Sequence, residues 1–173
     1  LLESLNQLQN LSVQYPELIY DGPFSDGLDQ REIKGLSNNV VSFDEAKENF
    51  VKIFKGYSFS KITSAGKTEG DIVCYNIEGM LDGELLYAQM SERDGKLIMF
   101  SYAGSCQSVL IERQTAIENA QAFLQNMGLI NMKEVWFNLS NNVYTINFAY
   151  EKTGVIIYPD LIKVRVCSQT ANI

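Results

Sequence analysis

The chain has 173 residues, 46% hydrophobic, with a formal charge of −7, so it can bury one core or two small ones. An acidic chain repels phosphate backbones, so nucleic acid is not an expected partner, and no basic block points to anionic lipid. Histidine is absent, which removes Ser-His and Cys-His dyads, HExxH helices and the commonest metal ligand.

Leu1, Leu2, Leu5, Leu8 and Leu11 recur every three or four residues, which predicts an amphipathic N-terminal helix. Tyr15-Pro16 ends it, because the residue before proline avoids the α region. Residues 20–36 read as an irregular connector dense in turn formers. Asp21, Asp26 and Asp29 do not follow the calcium-loop spacing, and no Glu closes that loop. Tyr20, Asp21, Pro23, Phe24 and Asp26 form the candidate contact surface, since their apolar members are costly to leave in water. The alternative is a staple holding the entering helix to the first sheet.

Ser42-Phe43-Asp44-Glu45 is a capping box. Ala46, Phe50, Ile53 and Phe54 then share one helical face, and Gly56 stops the helix. Strands are predicted at 72–79, 85–92 and 96–102. Asp82-Gly83 and Asp94-Gly95 supply turns that accept positive φ at both central positions.

The chain then repeats itself. Glu45-Ala46-Lys47-Glu48-Asn49-Phe50 is answered by Thr115-Ala116-Ile117-Glu118-Asn119-Ala120, an offset of 70 residues. A second helix is predicted over 112–127, facing inward with Ala116, Ala120, Phe123 and Leu124, and Gly128 ends it. Strands follow at 133–139, 143–150 and 161–167, with turns at Asn141-Asn142 and Thr153-Gly154. A last strand would begin near Ala171, and the chain reads as a piece of a longer one. The predicted class is α+β: two tandem units, each one helix on an antiparallel meander, after an N-terminal helix and connector. The expected divisions are 1–39, 40–107 and 108–173. Residues 42–103 and 112–170 should superpose, and Phe50→Ala and Phe123→Ala should each cost roughly 3–5 kcal/mol as buried aromatics between helix and sheet.

No phosphate-binding glycine loop and no nucleophile elbow are present. Glu45 and Glu48 pair only on a polar helix face, so no catalytic residue is assigned, nor any metal or cofactor. Cys74, Cys106 and Cys167 lack C-x-x-C spacing and are expected to be free thiols. Tyr57, Phe59, Trp136, Phe137 and Phe148 are candidates for a recognition surface, against the commoner reading of core packing. Repeated modules more often bind or regulate than catalyse.

The run from Tyr15 to Asp26 resembles the segment preceding the PepSY domains of YpeB-family germination proteins. The Ser42-to-Ala46 opening and the Asp-Gly turns are similar to PepSY domains. The resemblance implies a non-enzymatic interaction or regulatory module that supports or restrains a SleB-like cortex-lytic enzyme. It also implies a membrane-anchored, extracytoplasmic setting at the spore inner membrane or cortex, with no membrane contact by this stretch itself. The second unit departs from the pattern, with Thr115 for Glu45 and no Asp-Gly in its last turn. The rival readings are a peptidoglycan hydrolase using Asp/Glu, which needs two carboxylates set apart in a cleft, and a peptide- or glycan-binding module.

Overall fold

The structure is a computed structural model, and it describes residue 33 and residues 35–173. The expected N-terminal helix and the candidate surface at Tyr20, Asp21, Pro23, Phe24 and Asp26 lie outside the described residues. From Ser37 onward, two helices and seven strands follow in order: α1 (Phe43–Ile53), β1 (Phe59–Thr68), β2 (Cys74–Leu81), β3 (Glu84–Ser91), β4 (Leu97–Tyr102), α2 (Arg113–Asn126), β5 (Met132–Ser140), β6 (Val143–Lys152) and β7 (Val155–Cys167). Strands β1–β4 form one antiparallel meander and β5–β7 a second, each with neighbours in chain order. The fold is α+β.

Helix α1 begins where its cap dictates. The Ser42 N–H and hydroxyl donate to one Glu45 carboxylate oxygen (2.7 and 2.9 Å), and the Glu45 N–H donates back to Ser42 Oγ (3.3 Å). The Ser42 backbone N–H, followed by its hydroxyl, holds the Glu45 carboxyl below the ordinary range. A lowered folded pKa means the carboxylate stabilises above the unfolded pKa, and that stability is lost as pH falls through the folded value. Ser42→Ala is therefore expected to cost about 1 kcal/mol near neutrality. Glu45→Gln, which removes the carboxylate that the Ser42 N–H holds, should flatten the loss of stability on acidification; an unchanged acid limb in urea titrations would refute the assignment. Helix α2 starts at the N-cap Glu112 without a side-chain cap bond.

Beneath α1 lies a core of Ala46, Phe50, Phe54, Tyr75, Ile77, Leu81, Leu86, Ala88 and Met90. Beneath α2 the matching set is Ala116, Ile117, Ala120, Leu124, Tyr144, Ile146, Phe148, Val164 and Val166. Both helices therefore bury the faces that their periodicity predicts. Phe123 departs from this: it is only half-buried and packs against both cores, its ring 5.5 Å from that of Phe54. It occupies the place of Ile53, whereas the position answering Phe50 is held by Ala120.

The duplication extends to individual hydrogen bonds. Tyr75 Oη donates to the Val41 carbonyl (2.8 Å), and Tyr144 Oη to that of Ile111 (3.1 Å). The Val41 N–H donates to Glu92 O, as that of Ile111 does to Ser168 O, both at 2.9 Å. The Ser91 N–H reaches Lys96 O and the Cys167 N–H reaches Asn172 O, both at 2.8 Å. Ile173 thus stands where Leu97 opens β4.

All four predicted turns have both central residues at positive φ: Asp82/Gly83, Asp94/Gly95, Asn141/Asn142 and Thr153/Gly154. Ala171 takes the place of Gly95 and adopts the same left-handed backbone, φ 64° against 57°. That conformation costs an L-residue about 1–2 kcal/mol, against glycine's entropic cost of about 0.5–1. Ala171→Gly is thus expected to stabilise by about 0.5 kcal/mol, read as a higher urea midpoint at unchanged slope; a lower midpoint would overturn the equivalence.

Two strands differ from the sequence reading. Strand β1 was not expected, because Phe59–Thr68 carries small polar residues on an exposed sheet edge with two register shifts, so no period-2 apolar pattern marks it. Strand β7 starts six residues earlier than predicted, at Val155, since the register between Tyr150↔Ile157 and Phe148↔Ile162 accommodates extra β7 residues.

The expectation of three free thiols fails. Cys106 and Cys167 form a disulfide, Cα atoms 5.8 Å apart across 61 residues of sequence. Cys74 is the free, buried cysteine, and burial pushes its thiol up. The pairing arises from tertiary structure: the connector after β4 is laid against the end of β7, with Asn142 Nδ2 donating to Cys106 O (3.0 Å) and the Gln107 N–H to Gln169 Oε1 (3.0 Å).

Candidate functional site: a groove between the repeats

Among the described residues, a groove of about 700 Å³ lies between the repeats. Strand β4 forms one wall, the C-terminal half of β7 the other, and Phe54, Tyr57 and Phe123 lie among its lining. A smaller hollow of about 410 Å³, bounded by Gly128, Leu129, Tyr150 and Leu161, continues along the foot of α2. The physical reason for the groove is topological: β4 and β7 are each an edge strand of their sheet. Ile98 and Met99 remain about two-fifths exposed there, as does Leu161 at nearly half. Apolar surface held at a groove marks a contact site more often than chance exposure does.

Polar groups in the groove are few. Among the described residues its lining holds one carboxylate, Asp82, and the edge of β7 brings Lys163 and Arg165 to its rim, on the face opposite the buried Val164 and Val166. Tyr102 has its hydroxyl pushed up, first by burial and then by Asp82 and Glu84. Gly104 admits that ring, since a Cβ there would lie 2.1 Å from it. At the end of the chain the Ile173 N–H donates to Tyr57 Oη (3.3 Å), tying the second repeat to the first.

The aromatic residues singled out by sequence separate into different roles. Phe148 is fully buried in the second core, and Tyr57 and Phe59 pack at the margin of the first. Trp136 and Phe137 are exposed at 50% and 37%. Phe137 lies under the Arg113 guanidinium at 3.7 Å, and Arg113 also pairs with Glu134 at 2.6 Å. Sequence reasoning missed the groove because no segment encodes it; it exists only where two edges face each other. Its one local trace was the apolar run Leu97-Ile98-Met99-Phe100, too apolar for a strand with one wet face.

Among the described residues, no three His, Cys, Asp or Glu side chains gather as a metal site, and no helix is long and apolar enough to cross a membrane.

A family model described as YpeB sporulation, PepSY1 and PepSY2 domains, matches residues 1–169. The YpeB C-terminal domain of Bacillus megaterium has a similar fold, with a TM-score of 0.68 at 19% identity over 78% of this chain. The chain spans 61% of that structure's length. A candidate lipoprotein from Clostridium difficile 630 gives a TM-score of 0.30 at 12% identity, over 79% of this chain and 91% of its own, which is too low to bear on the fold. No curated protein sequence matches the chain.

Proposed function

This chain belongs to the YpeB sporulation family through its PepSY1 and PepSY2 domains, and we propose that it acts by contact, supporting or restraining a cortex-lytic enzyme of the SleB type. The groove between the repeats carries this reading: its walls are apolar and aromatic, and its lining offers a single carboxylate among the described residues. Glycoside hydrolysis requires two carboxyl groups about 5–9.5 Å apart across the scissile bond. PepSY domains of this family are generally non-catalytic modules. An aromatic-lined groove bounded by two strand edges suits an extended peptide of a partner, whose backbone would hydrogen-bond an edge while alternate side chains enter the apolar wall.

The setting we propose is extracytoplasmic, at the spore inner membrane or cortex. The Cys106–Cys167 disulfide supports an oxidising compartment, and family membership supports sporulation. The test is capture of a purified SleB-type enzyme by this chain and by the double variant Ile98→Asp/Met99→Asp. Capture should weaken by about tenfold or more with no fall in melting temperature, as for charges placed in a desolvated interface. Equal capture by both proteins would sink the reading. Product release from cortex peptidoglycan that vanishes with Asp82→Asn would replace it with the hydrolase.

A further inference from the structure

The outer faces of the two sheets, turned away from the helices, have the same architecture and opposite chemistry. On the first sheet Asn76 of β2 faces Gln89 of β3. Its Oδ1 accepts from Thr68 Oγ1 (3.1 Å), Tyr87 Oη (2.9 Å) and Gln89 Nε2 (3.1 Å). That face satisfies itself. On the second sheet the register aligns Trp136, Asn147 and Lys163 in one row and Asn138, Thr145 and Arg165 in the next. Because Tyr75↔Met90 answers Tyr144↔Val166, Lys163 stands in the place of Tyr87 and Arg165 in that of Gln89.

Nothing in the second sheet answers those substitutions. Among the described residues, neither Lys163 nor Arg165 has an ion pair or side-chain hydrogen bond. The Asn147 Oδ1 between them and Trp136 is buried without a donor. Trp136, the sole tryptophan of the sequence, is half exposed. Tryptophan and arginine are the residue types that most often dominate a protein–protein contact.

We propose that this face docks an acidic, extended segment of a protein partner. Lys163 and Arg165 are two residues apart on one strand, so their charges repeat at about 6.7 Å. That is the interval between alternate side chains of an extended chain, which selects Asp or Glu at every second position. The overall charge of the protein repels such a segment at a distance, so the attraction operates at contact and is sensitive to salt. The inference deepens the contact reading above by naming a partner chemistry, yet its test uses no enzyme, so either can fail alone.

The probe is a fluorescent peptide alternating Glu with Thr, compared with its Gln-for-Glu counterpart by anisotropy at low ionic strength. The Glu peptide should bind at least about tenfold more tightly, with a saturable change in Trp136 emission. The Lys163→Gln/Arg165→Gln variant should abolish that preference at unchanged melting temperature, whereas Lys47→Gln on α1 should retain it. Equal affinity for both peptides, or a preference that survives the double variant, would overturn the proposal. Tighter binding of phosphatidylglycerol vesicles through the same two residues would also overturn it, in favour of a membrane surface.

Discussion

Replacing Cys106 and Cys167 together by alanine is expected to lower the free energy of unfolding by about 4 kcal/mol, the chain-entropy value for a loop of this size. The disulfide joins residues 61 apart and so restricts the unfolded chain over most of the second repeat. The first repeat makes the corresponding junction without a covalent bond. There the Ser37 N–H donates to Asp94 Oδ2 (2.6 Å), Ser37 Oγ to Asp94 Oδ1, and Arg93 Nε to Ser37 O (2.6 Å). The Ser37 hydroxyl, then its N–H, holds the Asp94 carboxyl below its ordinary range. The second repeat therefore depends on oxidation where the first depends on a carboxylate. Urea unfolding of the oxidised protein, the reduced protein and the double variant should show the last two alike and both well below the first. Denatured, unreduced monomer should present one reactive thiol, that of Cys74. Three reactive thiols, or a cost under about 1 kcal/mol, would remove the disulfide from the account.

What the sequence disclosed follows from the range over which each feature is encoded. The capping box at Ser42–Glu45, the faces of α1 and α2 and the positive-φ turns are written within a few residues, and each was legible. Strand β1 was not, because an edge strand with few buried side chains has no alternation to display. The pairing of Cys106 with Cys167 was not, because three cysteines without a spacing motif name no partners. The groove was not, because β4 and β7 meet only through the packing of one repeat on the other. Periodicity makes Phe123 a core residue of its own helix, and it does lie near the buried face. What periodicity cannot convey is that this edge of the helix faces another repeat.

That misplacement leads to the largest expected packing effect. Phe54 is 2% exposed, and its ring lies 4.4 Å from that of Phe100, 5.0 Å from Phe50 and 5.5 Å from Phe123. Phe54→Ala should cost about 3–5 kcal/mol, as for a buried aromatic whose neighbours cannot close the cavity, and Phe50→Ala should fall in the same range. Phe123→Ala should cost less, about 1–2 kcal/mol, because a half-buried ring has less surface to lose. The informative quantity is the coupling between Phe54 and Phe123, the aromatic pair that spans the repeats. A double-mutant cycle should show the double variant costing about 0.5–1.5 kcal/mol less than the sum of the single costs, the shared contact being lost only once. If the repeats fold as one unit, each single variant will shift a single transition, seen alike by Trp136 fluorescence from the second repeat and by far-UV circular dichroism from both. If the coupling is zero and Phe54→Ala leaves the Trp136 transition in place, the repeats are independent, and the groove between them opens without cost to either core.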